Sequence, residues 1–80
     1  MINSQSNYYN SSTVKASTYN YGHKTLMIHF DHASYLYEGV SVEDYNSFAT
    51  ADSQGRALNE FIKAKYEGVK INEVNQVTAE

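Results

Sequence analysis

Cysteine is absent from this chain of 80 residues, which excludes disulfides and thiolate metal sites and removes any argument for an oxidising compartment. Positive charge is scarce: six Lys and Arg stand against nine Asp and Glu, for a net charge of -3. A protein that holds duplex DNA needs a basic patch to neutralise phosphates, so DNA is not expected as a partner. Long hydrophobic runs are missing too. Met1 to Asn10 is polar, with no basic segment leading into an apolar stretch, so neither a signal peptide nor a membrane-spanning helix is expected. A cytoplasmic protein is the default expectation, in the host cytoplasm if the chain is phage-encoded.

Tryptophan is also missing, yet eight tyrosines are present in a chain otherwise rich in Asn and Ser. Tyrosine combines broad apolar area with a polar tip and is enriched at recognition surfaces, although it is also a common strand residue. A chain this short has room for one core only. Small cores contribute little net stability, and chains of this size commonly add a metal, a disulfide or a partner subunit. Self-association is therefore a reasonable expectation.

Residues 1–11 lack periodicity and are expected to form a flexible polar leader. From Ser12 to Tyr19, Val14, Ala16 and Thr18 alternate with Lys15, Ser17 and Tyr19, which suits a strand ending at the turn residues Asn20-Tyr21-Gly22-His23. Thr25 to Phe30 places Leu26, Ile28 and Phe30 on one face and Met27 and His29 on the other, the clearest strand pattern in the chain. Asp31-His32-Ala33 then turns into Ser34-Tyr35-Leu36-Tyr37-Glu38. A loop of even length puts Tyr35 and Tyr37 on the face of Leu26 and Ile28. Ser41-Val42-Glu43-Asp44 reads as a helix cap with acidic residues in the first turn, and Val40 is placed to staple against Tyr45. Val42, Tyr45, Phe48 and Ala49 form the stripe of a short helix. Asp52 or Ser53 caps a second helix carrying Leu58, Phe61, Ile62 and Tyr66, with Gly68 offered as its left-handed terminus. Val69 and Ile71 fit either a docked strand or a tail, and residues 72–80 are expected to be disordered.

The resulting expectation is an α+β domain over residues 12–71. It is a three-stranded antiparallel sheet in the order β-β-β-α-α, with two helices packed on one face, because each helix has a single apolar stripe. The opposite sheet face is left uncovered.

Several short motifs follow one another along the chain. Tyr35-Leu36-Tyr37 is a central Tyr-x-Tyr, Val40-Ser41 follows it, and Ala51-Asp52-Ser53-Gln54-Gly55 supplies Ala-x-Ser-x-Gly ahead of Asn59, Ile62 and Tyr66. Across about Ser12 to Val69 this series resembles the KTSC domain, a module named for its occurrence at the C-terminus of some lysyl-tRNA synthetases and also found alone. The chain departs from the family at Ser41, where proline is usual, and at His32-Ala33, where a glycine is common. Serine is itself a good helix cap, so the first change preserves the local structure. The resemblance implies a binding domain for which RNA recognition has been suggested. Here Arg56, Lys63, Lys65 and Lys70 are the available basic residues, diluted by Glu60 and Glu67, which weakens an RNA reading that depends on a positive groove beside stacking tyrosines.

No catalytic constellation emerges. Ser, His and Asp are present without a nucleophile elbow, and Glu43, Asp44 and Asp52 fall at helix starts, where the helix dipole favours them. His23, His29 and His32 are spread over two turns and a strand, so no metal is expected. No cofactor is expected either, and the chain is not expected to be an enzyme. Ser53, Gly55, Arg56 and Asn59 form the candidate anion site, since a helix start with glycine exposes backbone N–H groups and arginine adds a bidentate donor. The structural alternative is that Ser53 caps the helix and Gly55 permits close packing. Tyr19, Met27, His29 and Leu36 form the candidate interface on the uncovered sheet face. The main functional expectation is a non-enzymatic module acting by protein–protein contact, as a homo-oligomer or as a phage-encoded inhibitor of a host protein. The alternatives are an oligomer that sequesters a nucleotide-like phosphate ligand as a phage counter-defence, and an RNA-binding module.

Overall fold

A computed structural model of the chain describes residues 4–71, and its sheet has five strands rather than the expected three. They are β1 (Ser4–Tyr8), β2 (Ala16–Asn20), β3 (Thr25–His29), β4 (Ser34–Glu38) and β5 (Gly68–Ile71). Each pairs antiparallel with its neighbour in the order β1-β2-β3-β4-β5. Between β4 and β5 lie helix α1 (Val42–Ala49) and helix α2 (Gln54–Ala57), the latter continuing as a π-helical segment over Leu58–Lys63. The expected tail from residue 72 lies outside the described residues.

The centre of the fold is a direct consequence of residue pattern. In β3, Leu26 and Ile28 are buried while Met27 and His29 are not, as strict alternation demands. A four-residue loop, closed by Phe30 N–H donating to the Ala33 carbonyl at 2.8 Å, sets His29 opposite Ser34. Tyr37 therefore pairs with Leu26 and Tyr35 with Ile28. Ser41 caps α1, its Oγ accepting from the Asp44 N–H at 3.1 Å, and Ser53 caps α2, accepting from the Arg56 N–H at 3.3 Å. α1 buries Tyr45 and Phe48, and the next helical stretch buries Ala57, Leu58 and Ile62 against the same sheet face. Fully burying an aliphatic side chain such as Leu26 or Ile62 contributes roughly 1.5–3 kcal/mol.

The leader is not free: Ser4–Tyr8 forms edge strand β1. Its polarity conceals this, because an edge strand is held by main-chain pairing and needs few apolar residues. Two side chains fasten it. Asn7 Nδ2 donates to the Tyr45 hydroxyl, and just past the strand the Tyr9 ring meets Phe48 edge-on at 5.6 Å while its hydroxyl pairs with Ser17 Oγ at 2.8 Å.

Gly68 does not end a helix in the left-handed conformation. It opens β5, opposite Tyr37, and the lone described glycine with positive φ is Gly39, at 74°. The second helix is shorter than the pattern predicts, and its last turns widen to i→i+5 bonding. Leu58 and Ile62 are both in the core.

Candidate functional site

With both helices on one side, the outward positions of the sheet stay open. The register aligns two rows across it. One runs Ser6, Thr18, Met27, Leu36, Val69 and the other Tyr8, Ala16, His29, Ser34, Ile71. Tyr8 is 85% exposed and Val69 59%, while Met27 and Leu36 are half-buried by their row neighbours. Polar members are paired within the face: Ser6 Oγ with Thr18 Oγ1 at 3.0 Å, and His29 Nδ1 with Ser34 Oγ at 2.9 Å. Among the described strand residues that point this way, Glu38 is the one Asp, Glu, Lys or Arg. The face is thus a nearly neutral surface with an apolar centre.

Three of the four predicted interface residues, Met27, His29 and Leu36, stand on this face. Tyr19 does not. It pairs with Leu26, points into the core and is 1% exposed. Val14 and Ser17 are both buried although three apart, so the alternation that begins at Val14 is broken before β2 starts, and everything after the break lies on the opposite face. Tyr8, Val69 and Ile71 complete the surface and were not among the predicted residues. Their strands carry little periodic signal, and the Val69, Ile71 alternation was the one cue.

The predicted anion residues are not drawn into a cradle. Ser53 Oγ is occupied as the α2 cap, while Arg56 and Asn59 are exposed. At Gly55 a Cβ would sit 3.5 Å from the Thr13 side chain, an ordinary packing distance. The histidines do not converge either. His23 and His32 lie in separate exposed turns and His29 on the open sheet face, and no group of three or more His, Asp or Glu with metal-binding geometry occurs among the described residues. None of the described helices is long and apolar enough to cross a membrane.

Asp44 does more than sit at a helix start. Its carboxylate accepts from the Tyr66 hydroxyl at 2.6 Å and from Lys65 Nζ at 3.0 Å, and the Tyr66 hydroxyl in turn accepts from the Ser41 N–H at 3.2 Å. These bonds clasp the start of α1 to the chain leaving the π-helical segment. The Tyr66 hydrogen bond, helped by Lys65, holds the Asp44 carboxyl below its usual range. A depressed carboxylate stabilises the fold above its unfolded value of about 4 and loses that effect as pH falls through the folded value. Asp44→Asn is accordingly expected to cost about 1–2 kcal/mol at neutral pH, a figure discounted for the exposed Lys65 partner. In denaturant titrations at stepped pH, the gap to wild type should close on acidification; a constant gap would mean that the carboxylate charge is not what holds the clasp.

Comparison with known proteins agrees with this architecture. The family model for the KTSC domain matches residues 10–66. The crystal structure of a KTSC domain protein from Yersinia pestis superposes with a TM-score of 0.78 at 30% sequence identity, covering 86% of this chain and 99% of that one. No curated protein matches significantly.

Proposed function

We propose that this chain, which belongs to the KTSC domain family, is a non-enzymatic binding module whose open sheet face docks onto a second copy of itself. The observation that carries this reading is the apolar row Met27, Leu36, Val69, flanked by Tyr8 and Ile71, on a face with almost no charge. Two copies of a charged face would repel each other. Here the −3 of the chain lies largely elsewhere, so face-to-face stacking brings little like charge together. Two sheets pack with their inner side chains interdigitated about 10 Å apart, and a twofold arrangement lets the same patch serve both partners. Such an interface supplies the burial that one small core lacks.

Sedimentation equilibrium from micromolar to millimolar protein tests it. Wild type is expected to dimerise, and Leu36→Glu to remain monomeric at every concentration, since it places a charge at the centre of the contact. The isolated domain should tolerate the change, because Leu36 is partly exposed and its outward side chain lies outside the core. Monomeric wild type throughout, or a Leu36→Glu variant that assembles like wild type, would refute the proposal.

A further inference from the structure

On the helix side of the sheet, away from the open face, β4 and the π-helical segment leave a cleft of 540 Å³ between them. Its walls include Thr13, Phe30, His32, Tyr35, Tyr37 and Lys63. The volume falls within the range of small-molecule sites, which run from about 300 to 1,000 Å³. Phe30 and Tyr35 meet edge-on with ring centroids 5.7 Å apart, giving one side of the cleft a rigid aromatic corner.

Two phenols and a lysine among the cleft residues have no hydrogen-bond or ion-pair partner among the described residues. The hydroxyls of Tyr9, Tyr19, Tyr21, Tyr45 and Tyr66 are all hydrogen-bonded within the fold, whereas those of Tyr35 and Tyr37 have no partner among the described residues. Tyr37 is only 2% exposed. No buried side-chain polar atom among the described residues is left unpaired, and Tyr37 is one of the residues that line the cleft. Burial, and then the neighbouring Tyr35, push the Tyr37 phenol up, so at neutral pH it stays protonated and able to donate. Lys63, exposed on the opposite wall, has no ion pair among the described residues. Lys70 lies opposite Tyr35 in β5, on the same sheet face, and adds a second positive charge nearby. Asp31 also lines the cleft, as an exposed carboxylate 3.7 Å from Lys15 Nζ.

We propose that this cleft binds a small organic anion carried on a flat ring. Lys63 neutralises the anionic group, the Tyr35 and Tyr37 hydroxyls and Thr13 Oγ1 donate hydrogen bonds to it, and the Phe30–Tyr35 corner packs the ring. A cation and convergent neutral donors suit an anion, and an aromatic wall suits a planar group. The site shares no residue with Ser53, Gly55, Arg56 or Asn59, and it faces away from the proposed dimer contact.

Amide and tyrosine NMR shifts of the full chain, titrated separately with adenosine 5′-monophosphate and with salicylate, read the cleft directly. At least one probe is expected to give saturable shifts centred on Thr13, Tyr35, Tyr37 and Lys63. Lys63→Ala, on an exposed side chain that leaves the fold intact, should weaken that binding about tenfold or more, the scale of one charged hydrogen bond. Arg56→Ala should leave it unchanged. The proposal is overturned if neither probe saturates, if the shifts centre on another surface, or if Lys63→Ala binds within about twofold of wild type. Leu36→Glu run in parallel should retain the cleft shifts, so failure of the dimer and failure of the cleft are separately visible.

Discussion

Tyr19→Ala is expected to unfold the domain, or to leave so little stability that it melts near ambient temperature. The Tyr19 ring lies parallel to Tyr45 at 4.3 Å with an interplanar angle of 7°, and Tyr21 closes on its edge at 4.9 Å. Its hydroxyl donates to the Val40 carbonyl at 2.6 Å. The substitution removes this ring from between the sheet and α1, and leaves the Val40 carbonyl without its phenol. Truncating a buried aromatic costs about 3–5 kcal/mol, and a domain of this size has a total stability at the low end of about 5–15 kcal/mol. Tyr19→Phe separates the two contributions. It keeps the stack and removes the hydrogen bond alone, for an expected loss of about 1–3 kcal/mol. Urea unfolding followed by tyrosine fluorescence or circular dichroism reads both variants. A folded Tyr19→Ala protein with near wild-type midpoint would show that the stack is incidental to the core.

The same rings set an alkaline limit. Burial pushes the phenols of Tyr19, Tyr37 and Tyr45 up, in each case as the first cause. Raised phenol values favour the fold below the unfolded tyrosine value of about 10, and that contribution is lost as pH rises through the folded values. The acid and alkaline limbs therefore rest on different parts of the molecule, the first on the Asp44 clasp and the second on the tyrosine core.

Legibility in the sequence followed the strength of local chemistry. Ser41 announced the first helix start and Asp52 or Ser53 the second, because such a side chain satisfies an end N–H, and in the structure Ser41 and Ser53 form the caps. The β3–β4 hairpin was legible because Leu26 and Ile28 alternate cleanly and an even loop fixes their partners. The uncovered face followed from helices with single apolar stripes. Tyr19 was misplaced because Val14, outside any strand yet buried, mimics the phase of β2. A one-residue offset reverses every side chain in a strand, and no local propensity signals where the phase breaks. β1 was hidden for another reason. Its attachment comes from Asn7 reaching Tyr45, 38 positions away, and from main-chain pairing with β2, neither of which leaves a hydrophobic period. The cleft was likewise invisible, since Thr13, Tyr35 and Lys63 come from three separated stretches that only the fold brings together.

Gly68→Ala is expected to lower the melting temperature and to loosen β5. A Cβ at Gly68 would lie 2.5 Å from Tyr37 Cε2 and 2.7 Å from Cζ, well inside contact distance, so one of the two must move. The Tyr37 ring has little freedom, because its strand neighbours are fixed by the register with Leu26 and almost none of its surface is exposed. Overpacking of this kind costs about 1–3 kcal/mol, which for a domain of this size is a drop of roughly 4–8 °C for each kcal/mol. Two relaxations are open. If β5 yields, Val69 and Ile71 leave the outer rows, amide exchange in Gly68–Ile71 accelerates, and dimerisation weakens along with stability. If the ring yields, its hydroxyl swings within the cleft, so β5 protection and self-association persist while binding of the anionic probe falls. An unchanged melting temperature would mean that the close approach of Gly68 to Tyr37 does not hold in solution. Gly68 therefore lies where the two proposed sites meet, and the variant shows which of them the sheet edge supports.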